Sequence, residues 1–318
     1  MEGSPPVRRV VVFGGDGFIG SHLVERLVGQ GHDVTVFDRF RGGEAKNLAG
    51  LSGRFRAVAG DFADPAAVAA ALAGQEVAYH LVWSTTPVTG WEAPMAEVES
   101  NLRDYVRLFD LCAGLGLRKV VFVSSGGSVY GPQTGPVDEN TVPRPFNPHG
   151  IAKLAAEHFL EYFRTRTGLA YDVYRVGNVF GPRQPSDRPQ GVIAVWTGRI
   201  LAGQAIDAYG DETTLRDYVP IEDAALLLTH SLRELAASDV FNLGTGRGTS
   251  ILGLLDIFRR VAAAPVVCRL HPRRASDNTG AVLDSRKLLA HFPGFCFQGL
   301  EQGIRRIWER ARAARGQG

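Results

Sequence analysis

The sequence predicts an α/β protein: a doubly wound parallel sheet, followed by a smaller α/β unit at the C-terminal end. Three observations carry this. Short apolar runs alternate with helical patterns up to about residue 176, a spacing that implies right-handed strand–helix–strand units. The first run, Val10–Phe13, leads directly into Gly14, Gly17 and Gly20 and then into an apolar helix pattern. Polar clusters fall where the strands end, the edge at which sheets of this kind bind ligands. The expected division is a first unit over 1–176 and a second over 177–318, with some strand or helix returning to the first.

Composition bounds the function classes. Hydrophobic residues make up 45% and charged residues 21% of the 318, ordinary values for a globular enzyme. A net charge of +2 gives no reason to expect nucleic acid or a membrane surface as partner. Cys112, Cys268 and Cys296 are odd in number and widely spaced, so they read as reduced thiols in a cytoplasm, with neither a disulfide framework nor a metal site. The N-terminal stretch has no signal-like apolar region, and no apolar run reaches membrane-spanning length.

Each element then follows in order. Val10–Gly20 reads as a Rossmann-type dinucleotide loop. Gly14 permits the tight turn, Gly17 lets backbone N–H groups approach a pyrophosphate, and Gly20 permits close helix–strand packing. Leu23, Val24, Leu27 and Val28 mark the helix, closed by Gly29 and Gly31. Val34–Phe37 is the second strand. It ends at Asp38, about 20 residues beyond the loop, where a carboxylate accepts from ribose hydroxyls and repels a 2′-phosphate. NAD is therefore favoured over NADP, a preference that Arg39 moderates. Phe55–Ala59 is the third strand. After it, Asp61 is a candidate for the adenine edge, and Asp64 a candidate cap for the helix Pro65–Leu72. Val77–Val82 is the fourth strand, with His80 in a structural role.

One long helix is expected from Pro94 to Leu115, with Met95, Val98, Leu102, Tyr105, Val106 and Phe109 as a stripe for core or dimer contact. Val120–Val123 is the fifth strand and runs into Ser124-Ser125-Gly126-Gly127-Ser128. A helix over 148–167 and a strand over 171–176 follow. The polar, proline-rich loop 181–191 is a binding-loop candidate. Beyond it come a helix near 192–202, a strand near 205–209, a helix from Ile221 and a strand over 240–243. Gly244-Thr245-Gly246-Arg247-Gly248 mimics a second phosphate loop, but Thr249-Ser250-Ile251 reads as an ordinary helix cap. Leu300–Arg312 closes as a basic amphipathic surface helix. His22 and His158 have no partners suggested by spacing.

Together, Gly14-x-x-Gly17-Phe18-Ile19-Gly20, Asp38, Gly60-Asp61, His80-Leu81, Asn101, the cluster Ser124–Gly131, Lys153, Asn178, Arg216-Asp217-Tyr218 and Arg274-x-x-Asp277 resemble the extended short-chain dehydrogenase/reductase superfamily. The resemblance is to its NAD-dependent epimerase/dehydratase branch, typified by UDP-glucose 4-epimerases, and covers nearly the whole chain. It implies NAD held by Gly14, Gly17, Phe18, Ile19, Gly20, Asp38, Arg39, Asp61, Phe62, Leu81, Ser84, Ser124, Lys153 and Val176. It implies a nucleotide sugar held by Thr85, Ser125, Asn178, Arg183, Gln190, Val192, Tyr209, Arg216 and Arg274, and a homodimer formed through helices 94–115 and 148–167. For Arg216 the alternative is an ion pair with Asp217 or Asp211.

In that family a Tyr-x-x-x-Lys pair removes the sugar hydroxyl proton. The matching segment here keeps Lys153 but has His149 at the tyrosine position, and Gly126 stands where many members carry a catalytic hydroxyl, leaving Ser125 and Ser128. A neutral imidazole is a competent base near pH 7, and Lys153 holds it in that form. The strand-end cluster carries no carboxylate, unlike family members that dehydrate or decarboxylate. Hydride transfer with one proton shuttle remains, and Asp38 tilts the choice toward 4-epimerisation of a UDP-hexose with retained NAD. The alternatives are an NAD(P)-dependent 4-ketoreductase of a deoxysugar nucleotide and a binding homologue that has lost turnover. Trp83 and Trp91 can narrow the sugar pocket beside Thr85–Trp91.

Overall fold

The computed structural model describes residues 6–41, 43–85, 87–187, 190–263, 265–275, 277 and 280–315. In chain order the strands are β1 Arg9–Phe13, β2 Asp33–Asp38, β3 Arg56–Ala59, β4 Val77–His80, β5 Lys119–Ser125, β6 Pro136–Val137, β7 Ala170–Val176, β8 Asn178–Phe180, β9 Ile206–Tyr209, β10 Leu215–Pro220, β11 Asp239–Leu243, β12 Gly248–Ser250, β13 Cys268–His271 and β14 Val282–Leu283. The helices are α1 Phe18–Gly29, α2 Pro65–Leu72, α3 Pro87–Glu92, α4 Pro94–Glu97, α5 Arg103–Gly114, α6 Gly126–Val129, α7 Pro148–Thr167, α8 Val192–Leu201, α9 Ile221–Leu228, α10 Ile251–Ala262, α11 Arg286–Leu289 and α12 Leu300–Arg315.

Seven strands form one parallel sheet in the order β11-β7-β5-β4-β1-β2-β3. Both its faces are covered, which is why its central strands read as unbroken apolar runs. Val10 and Val12 point into a core with Leu23, Val24, Leu27, Leu227 and Leu228. Val11 and Phe13 point the other way, to Val68, Leu108, Phe109 and Leu160. Strand order reverses direction at β1, between β2 and β4, and the crevice at such a reversal is where doubly wound sheets bind cofactors. The C-terminal half contributes β11 and α9 to this unit. Its remainder packs Phe180, Trp196, Phe258, Ile304 and Trp308 into a separate core beside the sheets β12-β10-β8 and β13-β9.

The helix expected over 94–115 is present as one helical run, in which α4 passes through a π-turn over Val98–Leu102 into α5. A π-turn inserts an extra residue into the helical repeat and rotates one flank against the other. The stripe is split accordingly. Tyr105 and Phe109 are buried, whereas Met95 and Val98 are 59% and 47% exposed.

The loop that mimics a second phosphate site has an occupant from its own chain. Asp217 is wholly buried, and its carboxylate accepts hydrogen bonds from the Thr245 N–H at 2.8 Å, the Thr245 hydroxyl at 2.6 Å, and the Gly246 and Leu283 N–H groups at 3.1 Å each. Ser250 caps α10 through the Gly253 N–H, as its position suggests.

Candidate active site

The glycine loop is built as a cradle. Gly14 has φ +80°, a conformation open to glycine, and its N–H donates to the Phe37 carbonyl. A Cβ on Gly20 would lie 2.1 Å from the Gly14 carbonyl oxygen, so α1 can start this close to β1 only without a side chain there. Gly17 occupies the α1 cap position and offers no side-chain acceptor, so the first-turn N–H groups keep their capacity for an anion. Phe18 and Ile19 form that first turn.

Asp38 ends β2 beside the loop, accepting from Asp16 N–H at 3.1 Å and from Arg39 N–H at 2.7 Å. The Leu81 backbone closes the loop from the β4 side, 3.3 Å from where a Gly14 Cβ would be. Asp61 accepts from the Ala63 N–H, and Asp64 caps α2 through Ala66 and Ala67. Phe62 is buried edge-on against Phe13 and His80, so its ring belongs to the core. The Ser124 hydroxyl donates to Glu157, which in turn takes Arg175. Ser125 and Val176 are register partners at the ends of β5 and β7.

The proton-transfer candidates sit at the start of α7. Asn147 caps the helix by accepting the Gly150 N–H at 2.8 Å, and Pro148 occupies its first turn. A Cβ on Gly150 would lie 2.5 Å from the Ser128 carbonyl oxygen, so the helix start is pressed against the strand-end cluster. His149 and Lys153, one turn apart, are both 7% exposed. The Lys153 ammonium donates to the Val123 carbonyl at 2.7 Å and lies 3.6 Å from the centroid of the Trp83 ring. Burial pushes Lys153 well below the usual lysine range, against the pull of Glu97 and Glu157. The Trp83 ring also meets the His149 imidazole edge-on at 4.4 Å.

A carboxylate that the sequence reading did not place here completes the cluster. Glu97 is 1% exposed, and its Oε1 lies 3.6 Å from His149 Nδ1. The Thr85 hydroxyl donates to Oε1 at 2.6 Å and the Asn101 amide to Oε2 at 2.9 Å. Burial opposes the charge on Glu97, but His149 and these donors outweigh it and its pKa is lowered. Burial lowers the pKa of His149, Lys153 lowers it further, and Glu97 opposes both. The Thr85 hydroxyl also accepts from Trp83 Nε1 and the Asn101 amide, which saturates it. The Ser84 hydroxyl is likewise directed to Asn101 and Ser100. The one available signal was the spacing of Glu97 and Asn101, four residues apart.

The second lobe holds the remaining candidates. Asn178 begins β8 in register with Tyr218 of β10, and Arg216 precedes it on β10, in register with Thr249. Tyr209 at the end of β9 stacks on His271 at 4.8 Å, and the Arg274 guanidinium lies 3.7 Å over the Tyr209 ring. Val192 starts α8, and Gln190 is exposed. Arg183, a candidate substrate contact, has φ +67° and is ion-paired to Glu25 on α1, while the adjacent Pro182 carbonyl meets His22 Nε2 at 3.1 Å. Among the described residues, no cluster of three or more His, Cys, Asp or Glu side chains could hold a metal, and no helix is long and apolar enough to cross a membrane.

The comparisons with known proteins agree with this fold. The UDP-glucose 4-epimerase of Mycolicibacterium smegmatis is 34% identical over 284 residues, covering 88% of this chain and 90% of that one. The structure of Thermus thermophilus UDP-glucose 4-epimerase in complex with NAD superposes with a TM-score of 0.88 at 32% identity, covering 96% of this chain and 99% of that one. The Thermotoga maritima UDP-glucose 4-epimerase with UDP-glucose gives a TM-score of 0.86 at 30% identity, with the same coverage. The family profile matches residues 10–244, a span that runs from the start of the glycine loop through Lys153 to the loop around Asp217. The chain belongs to the NAD dependent epimerase/dehydratase family.

Proposed function

We propose that this protein is an NAD-dependent nucleotide-sugar 4-epimerase acting on a UDP-hexose through a transient 4-keto sugar. The observation that carries the reading is the placement of His149 one helical turn before Lys153, at a helix start whose Gly150 is pressed against the Ser128 backbone. The three similar proteins named above are UDP-glucose 4-epimerases, one solved with NAD and one with UDP-glucose.

The residues fit the cofactor. The glycine loop brings the start of α1 close to β1 with no side-chain acceptor at its cap, so first-turn N–H groups are available to a pyrophosphate, and Asp38 offers a ribose acceptor. Bound NAD supplies reversible hydride chemistry. His149, with its pKa lowered by burial, is in the neutral form near pH 7 and takes the proton of the sugar 4-hydroxyl, then returns it. Ser125 and Ser128 are the hydroxyls available in the strand-end cluster, and Lys153 contributes positive charge. Asn178, Arg216 and Arg274 suit a diphosphate, the arginines through guanidinium geometry. Residues 1–176 hold the cofactor and 177–318 the sugar nucleotide.

A homodimer in the cytoplasm completes the reading. Met95, Val98, Ile151, Phe159 and Tyr162 are large hydrophobic residues left exposed on α4, the π-turn and α7, and an apolar surface of this kind marks a partner face. None of the three cysteines is paired. Sedimentation equilibrium giving a monomer at micromolar concentration would contradict the dimer.

The test is interconversion of UDP-glucose and UDP-galactose by the NAD-loaded protein. Turnover that falls at least a hundredfold in His149→Ala supports the reading, in line with the usual worth of a general base. Absence of interconversion in the wild type overturns it, and full turnover in His149→Ala removes His149 from the proton transfer.

Trp83 favours a second reading, a nucleotide-sugar-binding homologue without turnover. Its ring packs against both Lys153 and His149 and covers the amine. That reading predicts an inert wild type and a His149→Tyr variant that turns over.

A further inference from the structure

We propose that Glu97 is the positioning residue for His149, forming with it a carboxylate–imidazole pair that replaces the family's phenol as the proton-accepting unit. Three independent features of the structure build this pair. First, Glu97 Oε1 faces His149 Nδ1 at 3.6 Å, within ion-pair reach though longer than a hydrogen bond. Second, the carboxylate is held from its other sides by the Thr85 hydroxyl and the Asn101 amide, both on or beside elements that flank the site. Third, α3 makes room for it: a Cβ on Gly90 would lie 2.4 Å from Glu97 Oε1. A side chain nearly closed to solvent, with both oxygens engaged, does not reach a sugar. Glu97 therefore acts through His149.

The chemistry follows from the two ring nitrogens. A carboxylate facing Nδ1 favours the tautomer with its proton there, which leaves Nε2 as the acceptor. When the sugar hydroxyl O–H bond breaks, its proton and Nε2 form a new N–H bond, and the imidazolium lies beside an ionised Glu97. On the return step the same proton goes back to oxygen, and Glu97 stays ionised throughout. The charged or titratable groups around His149 are Glu97 from α4 and Lys153 from its own helix, with His80 of β4 and Glu157 of α7 facing Lys153 from behind. Lys153 disfavours the imidazolium, so an opposing carboxylate is what the step requires.

The activity arm of this inference rests on the 4-epimerase reading; the spectroscopic arm does not. With uniformly 15N-labelled histidine in the full chain, His149 is assigned by comparison with His149→Gln and titrated by NMR. Glu97→Gln keeps the shape and removes the charge, and it keeps one of the two acceptor contacts, because its amide nitrogen cannot accept from Thr85 or Asn101. It is expected to lower the His149 pKa and to shift the imidazole away from the Nδ1–H tautomer. Gly90→Ala, which displaces the carboxylate without removing its charge, is expected to move both in the same direction by less. In the enzyme assay, Glu97→Gln should lower kcat by roughly 10²–10⁴-fold with little change in KM, the scale seen when a catalytic histidine loses its carboxylate. A His149 titration and tautomer identical in wild type and both variants overturns the proposal. Absence of turnover in wild type with every UDP-hexose would instead overturn the function, while the titration still decides the pair.

Discussion

Leu283 fills the space that a side chain at position 126 would need. A Cβ on Gly126 would lie 2.6 Å from one Leu283 methyl carbon and 2.7 Å from the other. The glycine in the register of the family's hydroxyl residue thus has a packing counterpart on β14, far away in sequence. Gly126→Ser should destabilise the protein by about 1–3 kcal/mol through overpacking. Leu283→Ala alone should cost about 2–4 kcal/mol through the cavity it leaves. The double variant should lose less than the sum, because each change relieves the other. Urea unfolding of the four proteins measures the coupling, and strict additivity would disprove it.

Asp217 gathers four hydrogen bonds in a site closed to water. Burial raises its pKa, with the donors from Thr245, Leu283 and Gly246 acting against that. Asp217→Asn keeps the shape but turns an amide toward N–H donors, and should cost about 2–4 kcal/mol. Hydrogen exchange at the Thr245 and Gly246 amides should accelerate in the variant. Unchanged exchange would mean that the loop does not depend on the carboxylate.

Acid should unfold this protein through its histidines. Burial is the main cause of a lowered pKa at His22, His32, His80, His149 and His230, the last pushed down to about 4. A lowered folded pKa means that the unfolded chain binds protons first. The stability these groups contribute is whole above their unfolded value near 6.5 and is lost as pH falls below it. His80 is the strongest case: it is 1% exposed among Phe62, Tyr105 and Phe122, and neither ring nitrogen has a hydrogen-bond partner among the described residues. Between pH 7 and pH 5 the Tm should fall in wild type and fall less in His80→Phe. An equal drop in both would remove His80 from the account.

Some of the site was readable along the chain because its parts are local. The α7 start is one example: His149 and Lys153 lie four residues apart on one helix, so the family's Tyr-x-x-x-Lys spacing was enough to pair them. The Asp64 cap on α2 and the Ser250 cap on α10 are others. The long helix over 94–115 read less well, since an apolar stripe does not reveal a π-turn that rotates half of it to the surface. Thr85 and Ser84 were legible as polar residues at a strand end, but not that their hydroxyls are taken up by Glu97, Asn101 and Ser100.

What the sequence determined by itself is the sheet and the cradle. Unbroken apolar strands buried on both faces, a glycine loop with no room for Cβ atoms, and Asp38 at the end of the next strand all follow from backbone geometry and short-range spacing. Only the tertiary structure decided what surrounds the candidate residues. Glu97 against His149, Trp83 over Lys153, Leu283 in the place of a side chain at 126, and Asp217 inside its own loop each join residues from separate elements. The physical reason is that periodicity reports which face an element buries. Which side chain it meets there is set by strand order and helix packing, which in this protein bring Glu97, Lys153 and Trp83 to His149.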